Sequence, residues 1–279
     1  MKRLLPIALV TVIAACGGDD LPVAGTPAPS QGTASPAAVK IDGANYLDAF
    51  AIGAVAVSRV IDAAHIVGIV NDGSSRLDPP GAQNCWANGS LEWNDMLLDE
   101  HTRVVRPCAS GSVELRSGYF SDTLDGIMLT DVVWRRSPDP MDLKMGGSIR
   151  FNRNTDGSAT LSGAFSAQRE GADATYIQVS AIAVPATGGN AARVTAGSLQ
   201  VRAAPFAPHL LAVAVSEAGA KVSVTAPDGS HVDVSDAASG TTSARTFEVF
   251  DADGPMPVVT QTLSMDDPLV VAAIARAQD

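Results

Sequence analysis

The sequence predicts a mainly β fold: an antiparallel meander forming a curved sheet, sandwich or partial barrel, with one N-terminal helix packed on it and a short C-terminal helix. Three observations lead there. From Cys85 onward, short runs of alternating apolar and polar residues are broken by Gly, Asp, Asn and Pro, the mark of strands and turns. One earlier stretch instead spaces its apolar residues by three and four. The chain is 46% hydrophobic with only 5% aromatics, much of the remainder Ala and Val, which suits an extended sheet of modest side chains. The gaps between these segments are short, so residues 41–279 read as a single β-rich domain.

The chain opens with Lys2 and Arg3 as a short positive segment, a compact apolar segment over residues 4–12, and Ile13-Ala14-Ala15-Cys16 as a small-residue cleavage site. This is the layout of a cleaved export signal over residues 1–15, and its apolar part is too short to remain as a membrane span. Ending in Cys, it resembles the lipobox of bacterial lipoproteins. The resemblance implies that Cys16 carries a diacylglycerol, becomes the first residue of the mature chain and is usually acylated again, typically with palmitate, on its new amino group. A buried methylene contributes about 0.8 kcal/mol, so two or three acyl chains on one residue make a stable anchor. Gly17 stands where an Asp would mark inner-membrane retention, which implies lipid anchoring to the cell outer membrane, facing the periplasm or exposed at the surface.

Residues 16–40 then read as the lipidated Cys plus a flexible tether of Gly, Ala, Ser, Thr and Pro, with a reach on the order of 25 Å. Loss of Lys2 and Arg3 with the signal leaves 17 basic against 30 acidic residues, a mature charge near −13. Such acidity disfavours nucleic acid and charge-driven binding to anionic lipid.

Over residues 45–70, Leu47, Phe50, Ala51, Ala54, Val57, Val60, Ile61, Ala64 and Val67 recur at helical spacing, predicting a helix over about 45–68. Asp42 with Gly43 suits its start and Asn71-Asp72-Gly73 its stop. Asp48, Arg59, Asp62 and His65 lie inside it and would be costly at bilayer depth, so the helix is expected to pack on the sheet rather than span a membrane.

The strands follow. Ile149 and Phe151, Leu161 and Phe165, Val213 and Val215, Val222 and Val224, and Val232 and Val234 each alternate with polar or small residues, as in half-buried antiparallel strands. Pro227-Asp228-Gly229 reads as a tight hairpin, and Asp251-Ala252-Asp253-Gly254 as another between residues 245–250 and 258–264. A Gly-Ser pair followed by an apolar or small residue recurs at Gly89, Gly111, Gly147, Gly157, Gly197 and Gly229, and is expected to mark strand starts. Asp266-Asp267-Pro268 resembles a cap with Pro in the first helical position, opening a short helix through Arg276. Lipobox, tether, Ala-rich helix and meander together resemble a class of proteobacterial envelope lipoproteins with no assigned activity. That likeness covers residue 1 to roughly 200 and implies an architecture without a site.

With Cys16 assigned to lipid, Cys85 and Cys108 remain as an even pair in an oxidising compartment, where a disulfide is expected. It would close a loop of about 24 residues and contribute roughly 3 kcal/mol. The alternatives are two free thiols or a metal pair, and the spacing lacks the Cys-x-x-Cys of a zinc site.

No serine-hydrolase or zinc-protease motif occurs, so no catalytic residue, metal site or cofactor is assigned. Among four scattered histidines, His101 is the one crowded by carboxylates, Asp95, Asp99 and Glu100, which would orient an imidazole and raise its pKa. Asn152 to Gly157 mimics half a calcium loop but has Gly163 where the closing acid belongs, and reads as a hairpin. Trp86, Trp93 and Trp134 either line a pocket or form the main core of the sheet. The function expected is a lipid-anchored, non-catalytic envelope protein presenting a β-sheet surface to an envelope partner or apolar ligand. The alternatives are a hydrolase or metal-assisted enzyme on envelope polymers, using His101 and Asp99, and a periplasmic lipid carrier.

Overall fold

The computed structural model describes residues 39–73, 81–84, 89–94, 101–110, 113–123, 126–136, 141–153, 159–184, 194–216, 220–237 and 244–278. Helix α1 (Tyr46–Gly73) comes first. Its start is set by Asp42 and Asn45: Asp42 N–H donates to Asn45 Oδ1 at 2.9 Å, and Asp42 Oδ1 accepts from Ala44 N–H at 2.8 Å. The first turn's backbone donors are thereby partly satisfied by side chains, as helix initiation requires.

Fifteen strands follow: β1 (Gly81–Asn84), β2 (Ser90–Asn94), β3 (His101–Arg106), β4 (Cys108–Ser110), β5 (Val113–Thr123), β6 (Gly126–Arg136), β7 (Leu143–Arg153), β8 (Ala159–Arg169), β9 (Thr175–Val184), β10 (Ala196–Arg202), β11 (Leu211–Ser216), β12 (Lys221–Thr225), β13 (His231–Asp236), β14 (Ala244–Phe250) and β15 (Val259–Ser264). They form one antiparallel sheet in chain order from β1 to β15, and its two ends do not pair among the described residues. β3 and β4 both lie against β5, as one strand broken at Pro107, which has no N–H for the ladder. Helix α2 (Pro268–Gln278) closes the chain, its first turn capped by Asp267 Oδ1, which accepts from Leu269 N–H at 2.9 Å.

The expected elements are present, and α1 lies deeper than a helix laid on a sheet. It packs on β2, β4 and β5 near one end of the strand path and on β9 to β13 further along. A sheet that reaches one helix from both directions must bend around it, so α1 occupies the concave side. Its residues Ala49, Phe50, Ile52, Ala56, Val60, Ala63, Ile66 and Val67 are buried, in one continuous core with Leu115, Phe120, Trp134, Ile149, Leu161, Ile177, Val224 and Phe247. Phe247 packs edge-on against both Tyr46 and Phe50, with ring centroids 5.9 and 5.1 Å apart. The helix is long and apolar enough to cross a bilayer, and most of it is instead buried against the sheet and α2.

The Gly-Ser pattern marks strand starts only in part. Ser90 opens β2 and Gly229-Ser230 directly precedes β13, whereas Gly147-Ser148 lies in the middle of β7. Gly147 has φ +139° and faces Phe165 across the ladder to β8; Gly163 on β8 has φ +125° and faces Ile149. A Cβ at Gly163 would sit 2.2 Å from the Ser148 carbonyl oxygen. The ladder also shifts register beside Gly163 and between Leu129 and Val132. Such irregularities add twist and bend to long strands, so these glycines serve the curvature of the sheet rather than its turns.

Candidate functional site

Inside the curl, α1 carries two buried charges. Asp62, fully buried, accepts a hydrogen bond from Arg136 Nη2 near the end of β6, and its Oδ2 lies 3.7 Å from Arg59 Nη1 one turn earlier on the helix. The Arg59 guanidinium stands over the Trp134 ring, 5.5 Å from its centroid, an arrangement that favours the cation through the ring's negative face. Burial lowers the Arg136 pKa. Asp62 Oδ2, Trp134 Nε1 and Arg136 Nε have no hydrogen-bond partner among the described residues. The arrangement fixes the rotation of α1 within the sheet, because Asp62 meets Arg136 from only one helix face. Trp134 thus takes the core role, as the largest fully buried side chain.

On the opposite, convex side the register lines up one row of side chains across seven strands: Met128, Ser148, Ala164, Gln178, Gln200, Ala212 and Thr225 on β6 to β12. None is charged, although the whole chain is strongly acidic. A neighbouring row repeats the character from Ser162 through Ala181, Ser198, Ala214 and Ser223, and ends in charge at Arg150 on β7 and at Asp233 on β13. There Lys221 Nζ and Ser223 Oγ lie 2.8 and 2.6 Å from the carboxylate. Burial would raise the Asp233 pKa, and the hydrogen bonds from Lys221 and Ser223 outweigh it, so the net shift is downward.

The sequence candidates distribute unevenly over this frame. His101 opens β3, in register with Asn94 on β2 and Ser121 on β5, and Trp93 on β2 pairs with Gly81 and Thr102. Cys108 is buried on β4 in register with Leu115, with its Sγ 3.4 Å from the Arg106 carbonyl oxygen. Cys16, Cys85, Trp86, Asp95, Asp99 and Glu100 lie outside the described residues, as do residues 154–157 of the calcium-like segment. That segment joins Arg153 to its ladder partner Ala159. Asp251 and Gly254 form a turn, Gly254 N–H donating to the Asp251 carbonyl at 3.1 Å. No group of three or more His, Cys, Asp or Glu that would hold a metal ion occurs among the described residues.

No family model, curated protein or solved structure matches this chain. Its function is therefore argued from its own surfaces. Sequence reasoning missed the convex row, which depends on strand register, and it noted Arg59 and Asp62 only as obstacles to a membrane span. Their opposite charges at three-residue spacing within an apolar stretch of α1 were the available signal, whereas Arg136 could be paired with them only through the fold.

Proposed function

We propose that this chain is a non-catalytic, lipid-anchored envelope protein, held through Cys16, that presents the convex face of its sheet to a protein partner. The observation that carries this reading is the uncharged row from Met128 to Thr225 on a molecule with a large negative charge. Interface cores are depleted in charge relative to the remaining surface, and the Ser, Ala and Thr members of the row have little rotamer freedom to lose on docking. Binding on the convex side is favoured over carriage of an acyl chain within the curl because α1 fills the concave side with packed side chains.

A Cys85–Cys108 disulfide belongs to the same proposal. Asn84, the residue before Cys85, pairs with Ser90. A Cβ on the preceding Gly89 would lie 2.8 Å from the Cys108 Cα. The chain on either side of Cys85 is thus held near the buried Cys108 at Asn84 and Gly89, and an export route to an oxidising compartment favours the bond.

The test uses intact cells. Wild-type protein should incorporate labelled palmitate and the Cys16→Ser variant should not; incorporation by the variant defeats the anchor. A photo-crosslinking residue placed at Gln178 or Gln200 should give a discrete adduct that an added Ala212→Arg substitution removes without lowering the melting temperature. Adducts indifferent to Ala212→Arg would show that the convex row is not the docking surface.

A further inference from the structure

Residues 40 and 41, where the chain joins the sheet, are fastened to two hairpin tips. Ile41 N–H donates to the buried Ser230 Oγ at 2.7 Å, and Ser230 Oγ in turn donates to Asp228 Oδ1 at 2.6 Å in the turn between β12 and β13. Lys40 Nζ pairs with Asp251 at 2.8 Å in the loop between β14 and β15. The two tips also approach each other, with Ala252 close to Gly229.

The β14–β15 loop reads Asp251-Ala-Asp-Gly-Pro-Met-Pro-Val258. Met256 is 74% exposed, more than any other large apolar side chain among those described, and Val258 is 55% exposed. Proline on either side of Met256 limits its backbone freedom. Val258 is held in line with the sheet by its N–H donating to the Val249 carbonyl at 2.7 Å. The most exposed large apolar side chain among those described thus stands on a braced loop beside Lys40 and Ile41, the residues that follow the expected tether.

We propose that this loop is a membrane contact: Met256 and Val258 enter the headgroup region of the bilayer that holds the anchor, and so orient the domain on the lipid surface. The inference rests on the lipid-anchor reading. Two apolar side chains would bind a bilayer too weakly to retain a free protein. A loop whose adjoining chain is already tethered there meets the surface as an intramolecular event at high effective concentration. Asp228, Asp251 and Asp253 lie on the same tips with Lys40 as their near cation, so the surface that fits is zwitterionic rather than anionic.

The full lipidated chain carrying Met256→Trp is reconstituted into phosphatidylcholine vesicles with plain or brominated acyl chains, and the emission added over wild type is measured. Bromine should quench it by about twofold or more, because the side chain reaches the acyl boundary. Val258→Trp should follow, and Gln200→Trp on the convex face should be unaffected. Protein that floats with the vesicles but shows equal emission in both lipids at Met256→Trp and Val258→Trp overturns the membrane contact and leaves the anchor standing. Protein that fails to float overturns both. Including phosphatidylglycerol should weaken the quenching; quenching that grows with anionic lipid overturns the choice of a zwitterionic surface.

Discussion

Asp62 is the residue whose environment departs most from its chemistry, since a fully buried carboxylate meets one partly exposed Arg136 and one buried Arg59. Removing one partner of a buried pair leaves the other uncompensated, and with Arg136 a third exposed the cost belongs at the low end of the usual range. Asp62→Asn should lower stability by roughly 3 kcal/mol. Combined with Arg136→Met it should cost clearly less than the two singles added, which a double-mutant cycle in urea would read out. His65, one turn further along α1, has its pKa lowered by burial. Between that lowered value and the ordinary value near 6.5, the unfolded chain binds a proton that the folded chain does not. Stability from this site is therefore complete above about pH 6.5 and is lost as pH falls through the folded pKa. Unfolding measured at several pH values should show the decline in wild type and a shallower one in His65→Gln; parallel curves would refute it.

At the scale of elements, strands and helices were legible wherever period and caps agreed. The spacing from Leu47 to Val67 located α1, and Asp267 before Pro268 located the start of α2, because capping and side-chain period are local properties. The curvature was not legible. From sequence the Gly-Ser pair at Gly147 reads as a strand start, and only the ladder between β7 and β8 reveals that it bends a strand interior. Gly163→Ala should therefore behave as a core lesion, since its Cβ meets backbone that cannot rotate away and its φ is strained. A loss of about 2 kcal/mol or more in chemical denaturation is expected, whereas Gly171→Ala, with open space around it, should cost less. The convex row escaped sequence reading for a related reason: it joins residues as distant as Met128 and Thr225, and a shift of one residue in any ladder would send that strand's member to the other face.

For the whole molecule, the proposed disulfide would tie β4 to the segment that follows β1, at one end of the strand path. Reduction of the purified protein should lower its stability by about 3 kcal/mol and add two hydrogen atoms to its intact mass; an unchanged mass on reduction would remove the bond from the account. The order of elements along the chain has a consequence during synthesis. α1 precedes every strand that covers it, and the strands packed on its far side, β9 to β13, are made well after those of the β2 to β5 side. Each ladder joins near neighbours in the chain, so hairpins can form locally and quickly, yet the helix has no complete enclosure until β14 and α2 have been added. Until then Phe50, Ile52, Val60 and Ile66 face solvent on a segment apolar enough to enter a bilayer. Its apolar face thus stays open longer than that of any strand, and the Arg59 and Asp62 charges oppose entry of the waiting helix into a membrane.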